Sequence, residues 1–181
     1  MKKIIAIVGM AGSGKSEAAK IFQKKGYPVV RFGDLTDREV AARGLPLTEA
    51  NERTVREQLR REHGMAAYAL LNIPGIDKKL KNSDVVVDGL YSWEEYILLK
   101  ENYQAGLVVI AVWSAPQTRY QRLDSRGHRG RSAAESQNRD YAEIEQVNKG
   151  GPIAMADYTI CNEGSMAEME QKLARIIGKT A

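Results

Sequence analysis

Gly9-Met10-Ala11-Gly12-Ser13-Gly14-Lys15-Ser16 decides the fold of this 181-residue chain. The run fits Gly-x-x-x-x-Gly-Lys-Ser, a loop that cradles phosphates, and its flanks fit too. Before it, Lys3 to Val8 is an unbroken Ile/Val-rich run, as expected of a strand buried on both faces. After it, Lys15 to Lys25 has a helical pattern and stops at Gly26. Glycines in such a loop turn successive N–H groups toward an anion, and the helix that follows aims its positive end at the same place. Lys15 is placed to reach the β- and γ-phosphates, and the Ser16 hydroxyl to ligate Mg²⁺.

The rest of the chain alternates apolar runs with helical patterns, the signature of a parallel α/β sheet. Tyr27–Phe32, Asp84–Asp88, Leu107–Trp113 and Tyr158–Cys161 read as four further strands. Asp34 to Ile73 reads as helical, broken at Gly44-Leu45-Pro46 and near Gly64, with Thr48 as an N-cap. Capping-box patterns open helices at Ser92, Ser132 and Ser165, each with Glu three residues on. Pro116 suits the first turn of a helix reaching about Arg126. No repeat, linker or low-complexity tract divides the chain, so a single domain over residues 1–181 is expected.

Composition narrows the classes. The net charge is +4, and Cys161 is the only cysteine. A lone cysteine cannot form an internal disulfide or a cysteine-based metal site, which suits a reducing cytoplasm. No apolar run approaches the ~20 residues that cross a bilayer. The apolar stretch after Lys2-Lys3 is too short for a secretory signal, so a cytoplasmic protein without membrane contact is expected. Arg119, Arg122, Arg126, Arg129, Arg131 and Arg139 concentrate the basic charge in one segment. That suits a phosphate-rich small ligand; with no basic tail or aromatic-interleaved stripe, nucleic acid is an unlikely partner.

Other candidate residues follow from position. Asp88 ends a buried strand at the edge where open α/β sheets bind ligands, so it is a candidate Mg²⁺ ligand; a turn cap is the other reading. Arg119, Arg122 and Arg126 have helical spacing, and with Arg139 they outline a lid over residues 119–139 that stabilises a moving phosphoryl group; a solvated basic hairpin is the alternative. Asp34 follows strand two at the ligand edge. It either orients an acceptor hydroxyl or caps a helix, and the two roles are compatible. Arg53, Arg56 and Arg60 share a face, where they either bind acceptor phosphate or pair with Glu52 and Glu57. His63 and His128 carry no assigned role.

The loop Gly9–Ser16, the segment Val87-Asp88-Gly89-Leu90 and the stretch from Ala115 to Arg126 together resemble P-loop kinases of nucleotides and nucleosides. The tail Ala156-Asp157-Tyr158-Thr159-Ile160-Cys161-Asn162-Glu163-Gly164-Ser165 resembles the C-terminal signature of dephospho-CoA kinases. Over its length the chain is similar to the dephospho-CoA kinase-like or adenylate kinase-related group. The resemblance implies a three-layer P-loop NTPase fold with five parallel strands, the P-loop strand central. It also implies a helical acceptor-binding insertion at about residues 34–80 and an arginine-rich lid.

The implied cofactors are ATP and Mg²⁺, and the implied acceptor is a small nucleotide-like molecule, dephospho-CoA or a nucleoside monophosphate. The nucleotide set is Gly9, Ala11, Gly12, Ser13, Gly14, Lys15, Ser16, Glu17, Arg119, Asn162 and Gly164. The catalytic set is Lys15, Asp34, Arg122, Arg126 and Arg139, and the metal set is Ser16 and Asp88. Two positions depart from the monophosphate kinase pattern: Asp37 and Tyr91 stand where arginines are usual. The competing class is an ATPase switch or RNA-associated regulator with no small acceptor.

Overall fold

The computed structural model describes residues 2–125 and 132–180. Five strands form one parallel sheet: β1 (Ile4–Val8), β2 (Val29–Arg31), β3 (Val85–Asp88), β4 (Leu107–Trp113) and β5 (Tyr158–Cys161). Their order is β2-β3-β1-β4-β5, with the P-loop strand in the middle. In register, Ile7 lies beside Asp88 and Arg31 also lies beside Asp88. The carboxyl ends of β1, β2 and β3 therefore bring Arg31 and Asp88 beside the P-loop.

Side-chain alternation divides the core into two layers. Ile4, Ala6 and Val8 pack with Val85, Val87, Val109 and Ala111 on one face. That face is covered by α3 (Glu49–His63), α4 (Ala67–Leu80) and α5 (Trp93–Tyr103). Ile5 and Ile7 pack on the other with Val86, Ile110 and Val112, under α1 (Lys15–Lys24) and α9 (Met166–Thr180). The three-layer P-loop NTPase architecture is thus built from strands buried on both sides. Three helices, α2 (Gly33–Ala42), α3 and α4, lie between β2 and β3, where the insertion is expected. After β4 come α6 (Pro116–Asp124), α7 (Ala133–Glu145) and the short α8 (Gly150–Ala154). No helix of the described residues is long and apolar enough to cross a membrane.

Local chemistry sets most boundaries. Thr48 accepts a hydrogen bond from the Asn51 N–H at the start of α3, and Ser92 and Ser132 form complete capping boxes with Glu95 and Glu135. Two boundaries differ from the sequence expectation. Helix α4 continues through Pro74 to Leu80. Proline removes one bond to the carbonyl four residues back, here on solvent-exposed Leu70, and water can satisfy it. Strand β2 is three residues rather than six. It is an edge strand, and one neighbour supports less pairing.

The Ser92 capping box is also a pH-sensitive element. Glu95 is fully buried, and its Oε2 accepts from the N–H groups of Tyr91 (2.8 Å) and Ser92 (3.3 Å). Burial pushes its carboxyl up to about 7, outweighing these bonds and the charges of Arg60 and Lys149. A raised carboxyl favours the folded state at low pH, and that contribution is lost as pH climbs through the folded value. Glu95→Gln keeps the capping acceptor and removes the titration. The stability advantage of the variant over the parent is expected to grow by about 2–3 kcal/mol between pH 4.5 and 7.5. Urea unfolding at several pH values measures it, and parallel curves would refute it.

Candidate active site

Gly9, Gly12 and Gly14 adopt φ of 147°, 79° and 102°, all in the region that disfavours side chains. Neighbouring atoms reinforce the requirement. A Cβ on Gly12 would lie 2.7 Å from the Arg119 carbonyl oxygen, and one on Gly14 would strike the Asn162 amide nitrogen. The loop backbone is thus held closely from outside while its concave side can receive phosphate, a cradle that fits a nucleotide triphosphate.

Lys15 sits half-buried at the start of α1, its Nζ donating to the Met10 carbonyl at 2.9 Å. Burial first, and the charge of Lys149 second, lower its pKa to about 7. Glu143, Asp88 and Arg139 also act on this ammonium, so they share its surroundings. Ser16 stands within interaction range of Asp88, whose carboxyl is raised by burial against the charges of Lys15 and Arg31. Two oxygen ligands thus meet at the loop's edge, a donor set that fits Mg²⁺. No cluster of three or more His, Cys, Asp or Glu suited to a metal occurs among the described residues. A metal here would draw its remaining ligands from phosphate and water. The other loop residues divide. Ser13 Oγ is buried with no hydrogen-bond partner among the described residues, whereas Glu17 faces outward to Lys20 at 2.8 Å.

Of the arginine segment, Arg119, Arg122 and Arg139 lie among the described residues. Arg119 is only 4% exposed; its guanidinium makes a two-pronged ion pair with Asp140 (3.0 and 2.6 Å) and donates to the Ala11 carbonyl at 3.0 Å. It braces the loop through the Ala11 carbonyl, and its guanidinium lies 5.3 Å from the Tyr120 ring centroid. Arg122 donates to Ser114 Oγ (3.0 Å) and the Asn162 carbonyl (2.9 Å). Asn162 in turn donates to the Ser13 carbonyl at 2.8 Å. So Arg122 and Asn162, read as separate catalytic and nucleotide residues, form one support for the loop. Gly164 lies two residues on, packed against the Glu168 side chain. Arg139, on α7, is near enough for its charge to act on the Lys15 ammonium. Arg126 lies outside the described residues, as do Arg129, Arg131 and His128.

Beyond β2, Asp34 is the second residue of α2, two past the cap position, which Phe32 takes. Its carboxylate accepts from Arg31 at 2.7 Å, and the same Arg31 nitrogen reaches Asp37 at 3.1 Å. Arg38 is exposed. Arg53 pairs with Glu57 at 2.7 Å, and Arg56 pairs with Glu49 (2.7 Å) and Glu52 (3.5 Å). Arg60 differs: its guanidinium lies 5.5 Å from the Tyr68 ring, and its Nε is buried without a hydrogen bond among the described residues.

Sequence reasoning missed Arg31, Glu143 and Lys149. Arg31 ends a short edge strand, a position with no motif. Lys149 sits between a helix end and Gly150-Gly151-Pro152, which reads as a plain turn. It is nevertheless only 1% exposed, and its Nζ lies 4.7 Å from the Tyr91 ring centroid.

Comparison with known proteins agrees with this architecture. An AAA-domain family model matches residues 5–146. A UPF0200 protein of Thermococcus sibiricus is 38% identical over 177 residues, covering 96% of this chain and 93% of its own. Among solved structures, a shikimate kinase from Bacteroides thetaiotaomicron superposes with a TM-score of 0.63 at 14% identity, covering 97% and 98% of the two chains. A gluconokinase from Sinorhizobium meliloti superposes with a TM-score of 0.59 at 20% identity, over 98% and 95%. With its glycine loop intact on a five-stranded P-loop kinase fold, the chain belongs to the UPF0200 family.

Proposed function

We propose that the protein is an ATP- and Mg²⁺-dependent kinase that phosphorylates a hydroxyl of a small nucleotide-like acceptor, of the dephospho-CoA kind rather than a nucleoside monophosphate. The observation that carries the hydroxyl choice is the charge balance opposite the loop. Arg31 is taken up by both Asp34 and Asp37. Tyr91, three residues past the end of β3, stands where a monophosphate kinase would place a clamping arginine. A phosphate acceptor meets carboxylates there, whereas a hydroxyl meets a partner for its proton.

In this reading the loop amides and Lys15 hold the triphosphate. Ser16 and Asp88 would hold Mg²⁺, which would supply charge neutralisation to the phosphates. The acceptor oxygen bonds to the γ-phosphorus as the β–γ bridge breaks and ADP leaves. The hydroxyl proton passes to Asp34, which Arg31 aims. Arg139, from α7, stabilises charge on the moving group.

An acceptor panel tests this. Nucleosides, nucleoside monophosphates and dephospho-CoA are each incubated with the protein and Mg²⁺–ATP, and ADP release and phosphorylated product are measured. Dephospho-CoA is expected to raise ADP release above the basal rate, and Asp34→Asn to lower turnover by about 10²-fold or more. Product from monophosphates alone would overturn the hydroxyl choice. Robust ATP hydrolysis with no product from any acceptor would replace the kinase by an ATPase switch.

A further inference from the structure

Resting on the kinase reading, we infer that Lys149 is a positioning residue of the phosphoryl-transfer site: it neutralises Glu143, so that Glu143 can aim Arg139 without presenting negative charge to the phosphates. The geometry is a shared carboxylate. Glu143 Oε1 accepts from Arg139 Nε at 2.8 Å, and Oε2 accepts from Lys149 Nζ at 2.5 Å. Holding Arg139 through Nε directs its terminal N–H fork onward. Among the described residues that fork meets the Glu49 carboxylate at 4.0 Å, beyond hydrogen-bond reach.

A buried lysine is costly unless something requires it. Here the backbone is shaped to bury one. Asn148 takes φ 52°, a left-handed conformation uncommon outside glycine. The Lys149 N–H closes back onto the Glu143 carbonyl at 3.1 Å. Gly151 packs so tightly on Trp93 that a Cβ would lie 2.6 Å from the indole. Lys149 and Arg139 outweigh burial and hold Glu143 ionised, well below the usual carboxylate range. A lone carboxylate in that place, within the field of Lys15, would repel the terminal phosphate. Arg139 alone cannot both cancel Glu143 and offer its full charge to the ligand. The second cation resolves that conflict.

Two conservative substitutions at the pair separate this role from simple support. Lys149→Gln keeps a donor for Glu143 but loses the charge. Glu143→Gln keeps one acceptor oxygen, turns the other into an amide donor and removes the negative charge. The readout is equilibrium binding of β,γ-imido ATP and of ADP to the full chain with Mg²⁺, by titration calorimetry. Lys149→Gln is expected to weaken the imido analogue relative to ADP by about tenfold, the scale of one unit charge across several ångströms at an intermediate dielectric. Glu143→Gln is expected to shift the ratio the other way, and the double variant to return within about threefold of the parent.

A merely structural pair would weaken binding from either side. Equal losses in both single variants, or an unchanged ratio in either, would overturn the inference. If Lys149→Gln fails to fold, the direction of the shift in Glu143→Gln still decides. Because no acceptor is involved, failure here leaves the choice of acceptor untouched. A parent protein that binds neither nucleotide would instead overturn the P-loop reading itself.

Discussion

Lys15→Ala is expected to reduce phosphoryl transfer by at least about 10²–10³-fold while the protein stays folded, because a charge-stabilising donor aimed at the reacting group is lost. A coupled assay for ADP measures turnover, and circular dichroism checks the fold. A second signature is independent of the acceptor. Burial, then Lys149, lowers Lys15 to about 7. Anionic phosphates act in the opposite direction. Nucleotide binding should therefore draw a proton onto Lys15 above pH 7 and draw little below pH 6. Calorimetry in buffers of differing ionisation enthalpy counts that proton, and the alanine variant should lose the uptake. Full activity in Lys15→Ala, or the same uptake at pH 8, would remove Lys15 from the site.

Asp140→Ala is expected to cost about 3–5 kcal/mol of stability, the range for a buried ion pair stripped of one partner. Arg119 and Asp140 are 4% and 5% exposed, and Tyr120 also donates to Asp140 at 2.9 Å. The stranded guanidinium would keep only the Ala11 and Ser114 carbonyls. Since Ala11 belongs to the phosphate loop, nucleotide affinity should fall as well. Denaturant unfolding gives the cost. Replacing both partners by apolar residues, Arg119→Met with Asp140→Leu, should recover much of the stability. A midpoint for Asp140→Ala within experimental error of the parent would show that the pair contributes nothing.

Legibility from sequence followed the range of the interactions. The Ile/Val runs of β1, β3 and β4, the glycine loop and the capping boxes at Ser92 and Ser132 are local, and each element stands where its residues place it. Pro74 is a local signal that tertiary packing overrides, since its helix is anchored by buried Tyr68, Asn72 and Ile76 on the core side. The roles of the arginines were illegible for a different reason. Helical spacing tells which arginines can share a face, but not what waits across from them. Arg119 meets Asp140, 21 residues away, and Arg122 meets Asn162, 40 away. Lys149 was hidden because its burial depends on an unusual turn at Asn148 and on partners from the β3–α5 loop and α7.

The bracing of the loop by Asn162 has a consequence for how the protein comes into being. On a ribosome the phosphate loop at residues 9–16 emerges well ahead of its support. The amide that holds the Ser13 carbonyl and packs against Gly14 emerges 149 residues after Ser13, just after β5. The central strand β1 likewise waits for both its neighbours, β3 and β4. A growing chain therefore carries its nucleotide motif long before it can use it, and ligand cannot assist folding until β5 and Asn162 have been made.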